Sequence, residues 1–173
     1  LRRVEHLGQE GLRRGIAMQH AVLAAFLVVQ HELHRDARAL QRLRDRWGAA
    51  LLLDLHSMPP LPRQGNSLPP EFVLGDRFGA TCSGALVASA FAYFSEQRST
   101  IAHNRPYAGG YVLERHARPG EGIHAFQLEI DRTSYLDASQ SEPGEGFADT
   151  VRLLTGLVQR MAAEVADLGR LSR

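Results

Sequence analysis

Leu51-Leu52-Leu53-Asp54-Leu55-His56-Ser57-Met58-Pro59-Pro60 decides how the rest of the chain is read. An aliphatic run ends abruptly in Asp-x-His-Ser, and two prolines then stop regular structure. A continuous apolar run of this length suits a strand covered on both faces, as in a parallel sheet. Open α/β sheets take their ligands in the crevice outside the C-terminal ends of their strands. The stretch is therefore a buried strand, over residues 49–55, that delivers one imidazole to such a crevice.

Working outward, the N-terminal side reads as helical. Residues 1–15 are Arg- and Gly-rich without periodicity, and Ile16 to Gln30 is apolar and Ala-rich, which suggests a buried helix. The run AVLAAFLVV at 21–29 has nine apolar residues, too few to span a bilayer. No small-x-small cleavage site follows it, so it is not read as a signal sequence. From Glu32 to Trp47, Leu33, Ala37, Leu40, Leu43 and Trp47 fall on one helical stripe, with Gly48 as the stop.

On the C-terminal side, Ser57 to Pro70 holds five prolines and reads as a long loop, commonly a functional element in a compact domain. Residues 71–75 make a short strand, and a helix over roughly 81–95 starts at Thr81 or Ser83 as cap. Residues 100–103 form another strand. Gly109-Gly110 is a flexible turn, and Tyr111-Val112-Leu113 is expected to be extended. Ile123 to Ile130 is a strand. Residues 147–168 form an amphipathic helix with Phe147, Val151, Leu154, Val158, Met161 and Val165 towards the core. Strands alternating with helices indicate an α/β fold with a largely parallel sheet.

The totals exclude some classes of function. At 173 residues the chain is one domain, long enough to bury a core. Apolar residues make up 44% and charged residues 23%, and 20 Lys+Arg against 19 Asp+Glu leave no basic surplus for nucleic acid. The single cysteine, Cys82, rules out an internal disulfide and is read as a small buried hydrophobe.

Polar residues gather at four strand ends: Asp54 and His56; Asp76 and Arg77; Asn104 and Arg105; Gln127, Glu129 and Arg132. On one sheet these ends would converge on one crevice. His56 is the candidate metal ligand, since neutral imidazole is the commonest one, with a hydrogen-bonded loop histidine as the alternative that spacing alone favours; Asp54, two residues earlier on the same strand face, could orient the ring. Glu129 is costly to bury without a task, so it is the candidate base, with an ion pair to Arg132 as the alternative. Arg105, on a short turn, suits bidentate capture of a substrate carboxylate, with an ion pair to Asp or Glu as the alternative. Arg77 has the same two readings, with an ion pair to Asp76 or Asp54 favoured. Tyr107 and Tyr111 flank a hinge-like Gly-Gly, where Tyr107 could close over a substrate or pack in the core. His31-Glu32-Leu33-His34 has the second His one position short of a zinc-binding helix motif.

DLHSMPPLP, VLGDRFGATC and NRPYAGGYVLERHARPGEGIHAFQLEIDRTSYLD, in that order from about Ala49 to Asp137, resemble the N-formylglutamate amidohydrolase family. The resemblance implies a three-layer α/β/α sandwich around a mixed, mostly parallel sheet, as in zinc carboxypeptidases and aspartoacylases. It also implies one Zn2+ and hydrolysis of an N-formyl amide bond to formate and glutamate, a late step in histidine breakdown, in the cytoplasm. His56 then matches a zinc ligand, Glu129 the water-activating residue, and Arg105, with Asn104, Tyr107 and Arg77, the substrate-binding set. The remaining two zinc ligands of the family belong to a segment ahead of the Asp-x-His block, and residues 1–48 match it in neither. A catalytic zinc takes three protein ligands and a water. The chain is therefore expected to be an incomplete sandwich: a truncated form, or a non-catalytic remnant that binds or oligomerises. An amidase for another N-acyl amino acid is the further alternative. A small-molecule N-acyl amino acid is the expected partner, neither nucleic acid nor membrane is expected, and homo-oligomerisation through exposed edge strands is left open.

Overall fold

The computed structural model describes residues 25–28, 33–63, 65 and 68–171, with side chains described from residue 37 onward. Five strands form one mixed sheet: β1 (Ala25–Val28), β2 (Ala50–Met58), β3 (Phe72–Gly75), β4 (Ile101–His103) and β5 (Ile123–Asp131). Their spatial order is β1-β2-β5-β3-β4. The pairs β1–β2, β2–β5 and β3–β4 are parallel, and β3–β5 is antiparallel.

Strand alternation sorts the side chains into two faces. Leu51, Leu53, Phe72, Leu74, Phe126, Leu128 and Ile130 point to one face. Helices α2 (Gly84–Glu96) and α4 (Phe147–Leu171) cover it through Leu86, Ala90, Phe94, Leu157, Met161 and Val165. Ala50, Leu52, Ile123 and Ala125 point to the other face. There they meet Leu40 of α1 (Leu33–Trp47) and Leu113 of α3 (Tyr111–His116). The result is the three-layer α/β/α sandwich with a mostly parallel sheet that the resemblance implied. Each large apolar side chain buried in these two interfaces contributes roughly 1.5–3 kcal/mol by leaving water.

Three local readings change. Ala25-Phe26-Leu27-Val28, expected within a helix, is an edge strand paired with Leu51–Asp54. A short apolar run cannot be assigned by periodicity alone, and β2 offers it a parallel partner. The rest of the apolar helix expected at 16–30, the Arg-rich start and the side chains of His31 and His34 lie outside the described residues. Tyr111-Val112-Leu113 opens helix α3 rather than running extended, with Leu113 wholly buried. On α4, Phe147 and Val151 are 45% exposed, and the buried stripe is Leu157, Met161, Ala162, Val165 and Gly169. The first turns of α4 run beyond the edge of the core.

The cap of α2 is Ser83, whose hydroxyl accepts from Leu86 N at 3.4 Å. Thr81 is used differently: its hydroxyl donates to Ala125 O at 2.9 Å and its carbonyl accepts from Ala125 N at 2.8 Å, tying the approach to α2 onto β5. No helix among the described residues is long and apolar enough to cross a membrane.

Candidate active site

His56 and Glu129 are direct register partners on the adjacent parallel strands β2 and β5. Alternation puts both, with Asp54 and Gln127, on the sheet face shared with Leu52 and Ala125, but further along the strands. The aliphatic part of each strand anchors it under α1 and α3, and the polar part emerges past them. This is the arrangement anticipated from the Asp-x-His-Ser run.

His56 Nε2 lies 3.0 Å from Asp54 Oδ1, and the Asp54 side chain is 4% exposed. The approach has ion-pair distance but is not aligned as a hydrogen bond.

Glu129 is 7% exposed. Gln127 Nε2 donates to its Oε1 at 2.6 Å, and Gln127 Oε1 accepts from Gly110 N at 3.1 Å. One carboxylate oxygen is thereby fixed. Burial pushes the Glu129 carboxyl above its ordinary value, and Asp54 adds to this, whereas His56, the Gln127 hydrogen bond and Arg132 pull the other way. Arg132 does not form the ion pair offered as its alternative role: its Nε donates to Ser57 Oγ at 3.4 Å. In the sequence Gln127 is one of the polar residues at the end of the 123–130 strand. The signal was present in Gln-x-Glu, whose period of two puts both side chains on one face.

The four strand ends do not all converge. Because β3 runs antiparallel to β5 and β4 follows β3, the ends bearing Asp76 and Asn104 point the opposite way from those bearing His56 and Glu129. Sequence does not carry strand direction, and one antiparallel neighbour splits the expected cluster in two.

Arg105 lines a separate groove beside β4. His56, Glu129, Val73 and Ala102 form a row across four strands on one face. Beyond Glu129, Ala102 stands two strand spacings away, roughly 10 Å. Ala102, Leu61, Pro62, Leu68, Pro69 and Arg105 are among the residues lining a groove of about 790 Å³. Arg105 is its charged lining residue, and His56 and Glu129 lie outside its walls. The Pro-rich loop after β2 thus walls a groove. Arg105 itself is exposed and precedes Pro106 through a cis peptide bond.

Other expected members are placed as follows. Asn104 is buried, and both ends of its side-chain amide are bonded to Asp76. Arg77 Nη2 is 3.5 Å from Glu114 Oε2 of α3, rather than paired with Asp76 or Asp54. Tyr107 is half-buried on the loop leading to Gly110, and Tyr111 is 63% exposed at the start of α3. Cys82 is buried, and burial together with the Asp76 charge pushes its thiol up to about 12, which makes it inert at neutral pH.

The family model for N-formylglutamate amidohydrolase matches residues 33–136, a span that includes every residue just described from His56 to Arg132. The chain belongs to the N-formylglutamate amidohydrolase family. An N-formylglutamate deformylase from Pseudomonas aeruginosa is 30% identical over 141 residues, 79% of this chain and 52% of that protein. One from Pseudomonas putida is 32% identical over 106 residues, 60% of this chain and 39% of that protein. The crystal structure of N-formylglutamate amidohydrolase from Ralstonia eutropha JMP134 superposes with a TM-score of 0.69 at 37% identity, covering 76% of this chain and 49% of the other. A gene product from Agrobacterium tumefaciens shares the fold at a TM-score of 0.55 and 18% identity. The chain spans about half the length of the curated deformylase from Pseudomonas aeruginosa.

The resemblance to zinc enzymes can be tested against the donor atoms. One imidazole with a carboxylate at 3.0 Å is a sound partial ligand set, because metal-binding histidines commonly rest on a carboxylate. Among the described residues, however, no three His, Cys, Asp or Glu side chains gather to hold an ion. The described residues alone therefore do not fit a catalytic zinc.

Proposed function

We propose that this chain carries the base and the carboxylate-binding half of an amidohydrolase site, and that the bond cleaved is the formyl–nitrogen amide of N-formylglutamate. The observation supporting this is the pairing of His56 with a buried, Gln127-oriented Glu129, in the same row as Ala102, two strands further on, which lines a groove together with Arg105. The deformylase names of the relatives from Pseudomonas aeruginosa and Pseudomonas putida support the choice of substrate.

In this reading Glu129 takes a proton from water as the water oxygen bonds to the formyl carbon. The same carboxyl then returns the proton to the amide nitrogen as the carbon–nitrogen bond breaks, releasing formate and glutamate. Arg105 holds a substrate carboxylate and so fixes the distance between that group and the scissile bond. Tyr107 and Arg77 border the loop that carries Arg105. A positioned general base is worth about 10²–10⁴-fold in rate. His56, held beside Asp54, would supply one ligand of a zinc ion, which would contribute Lewis acidity. Glutamate as product suits a late step of histidine breakdown, and cytoplasm is the compartment this reading expects.

That a single imidazole stands beside Glu129 among the described residues favours a second reading, in which the chain binds the acyl amino acid without turning it over. One experiment separates the two: formate release from N-formylglutamate, with and without added zinc and after chelation, in the wild type and Glu129→Gln. Release that falls by about 10²–10⁴-fold in Glu129→Gln supports catalysis through that residue. Binding of the substrate without formate release under every metal condition supports the second reading.

A further inference from the structure

Asn104 precedes Arg105 and was expected to bind substrate beside it. Its surroundings point elsewhere. It is 5% exposed and has φ +58°. Its side-chain carbonyl accepts from Asp76 N at 2.9 Å, and its amide donates to Asp76 Oδ1 at 2.7 Å. Its backbone N–H donates to Leu74 O at 2.8 Å. An asparagine amide has one oxygen and two N–H donors, so this reciprocal pair commits the oxygen and one donor and fixes the plane of the group.

Asp76, in turn, is 2% exposed and does more than hold Asn104. Its Oδ1 also accepts from Gly79 N at 3.1 Å and lies 3.0 Å from His103 Nε2. One carboxylate oxygen therefore joins the ends of β3 and β4 to the 77–79 turn. A left-handed residue at the end of a strand turns the chain sharply, and asparagine tolerates that conformation better than most residues. The residue delivered by this turn is Arg105, at the groove over Ala102.

We propose that Asp76 and Asn104 are positioning residues for Arg105. Their mutual hydrogen bonds set the turn that places the guanidinium at the groove, and Asn104 acts on a bound carboxylate through Arg105 rather than by touching it. This rests on the reading of Arg105 as a carboxylate ligand.

The test uses glutarate as probe, its affinity measured by calorimetry on the whole chain. Asn104→Gly removes the amide while glycine still accepts φ +58°. Asp76→Ala removes the other half of the pair and leaves the amide in place. Each is measured alone and combined with Arg105→Ala. Asp76→Ala and Asn104→Gly are each expected to weaken glutarate about tenfold, the scale of one weakened hydrogen bond to a charged group, and to add nothing in the Arg105→Ala background. Full additivity with Arg105→Ala would overturn the proposal, as would weakening by Asn104→Gly alone, which would mean direct contact. In parallel, ¹⁵N relaxation of the Arg105 and Tyr107 backbone amides reads the turn itself: ordered in the wild type and more mobile in both variants. If the wild type binds no glutarate, the carboxylate-ligand reading falls and the relaxation data decide the positioning claim, with unchanged mobility overturning it. Should Asp76→Ala not fold, Asn104→Gly carries both measurements.

Discussion

A β-carbon built on Gly75 would stand 2.5 Å from the carbonyl carbon of Ala108, so β3 and the loop after β4 touch backbone to backbone. That contact lets the 104–110 loop lie down on the sheet and reach Gln127. Gly75→Ala must push the loop away. Overpacking of this kind costs about 1–3 kcal/mol. Urea unfolding should show that loss, and glutarate binding should weaken with it; an unchanged midpoint would mean that the loop moves aside freely.

In the proposed reaction Glu129 must be ionised to accept a proton. Since burial raises its pKa above the ordinary 4.5, kcat/KM should fall with acidification at a pH higher than an exposed glutamate would give. The sign follows from the charged form being the active one. A pH–rate profile checks this, and an acid limb at or below 4.5 would contradict the buried environment.

Gln127 bonds both Glu129 and Gly110, so Gln127→Leu strands a carboxylate oxygen and a backbone N–H at once. Each unsatisfied group costs about 1–3 kcal/mol. Formate release should drop by about tenfold or more, the equivalent of 1.4 kcal/mol in a barrier, while the circular dichroism spectrum stays that of the wild type. Activity retained in Gln127→Leu would remove Gln127 from the machinery.

His124 is 4% exposed, its Nδ1 has no hydrogen-bond partner among the described residues, and burial lowers its pKa below 6.5. The folded protein therefore holds it neutral where the unfolded chain would protonate it. Stability is expected to be full above pH 6.5 and to be lost as pH falls through that value, by up to about 1.4 kcal/mol per pH unit. Comparing urea midpoints at several pH values for the wild type and His124→Gln checks this: the substitution should flatten that part of the profile.

Cys82, with its thiol pushed up to about 12, should ignore a thiol-specific disulfide reagent at pH 8 until the chain is unfolded. Rapid labelling of the native protein would show that the region between β3 and α2 opens readily.

Much of this was legible from residues alone. The 51–60 stretch declared itself through composition: leucines to anchor, then Asp and His on one face. Gln-x-Glu within an apolar strand did the same for β5. The helices over 33–47 and 84–96 followed from apolar spacing and a capping serine. What stayed hidden depends on partners distant in sequence. Nothing in Phe72–Gly75 tells that it will lie antiparallel to β5, so the separation of Asp76 and Asn104 from Glu129 was invisible. Tyr111-Val112-Leu113 has strand-like composition but becomes helical because Leu113 packs against the sheet face. Asn104 looked like a ligand because its neighbour does; only the fold shows its amide turned to Asp76.

The adjacency of His56 and Glu129 is made by two neighbouring strands whose connection runs through the prolines of 59–70, β3, α2, β4 and α3. Residues could be inserted into or deleted from that proline segment without altering how the two side chains meet, because their spacing is set by the β2–β5 ladder. The segment that walls the groove is thus free to drift in length and composition while the His56–Glu129 pair stays put.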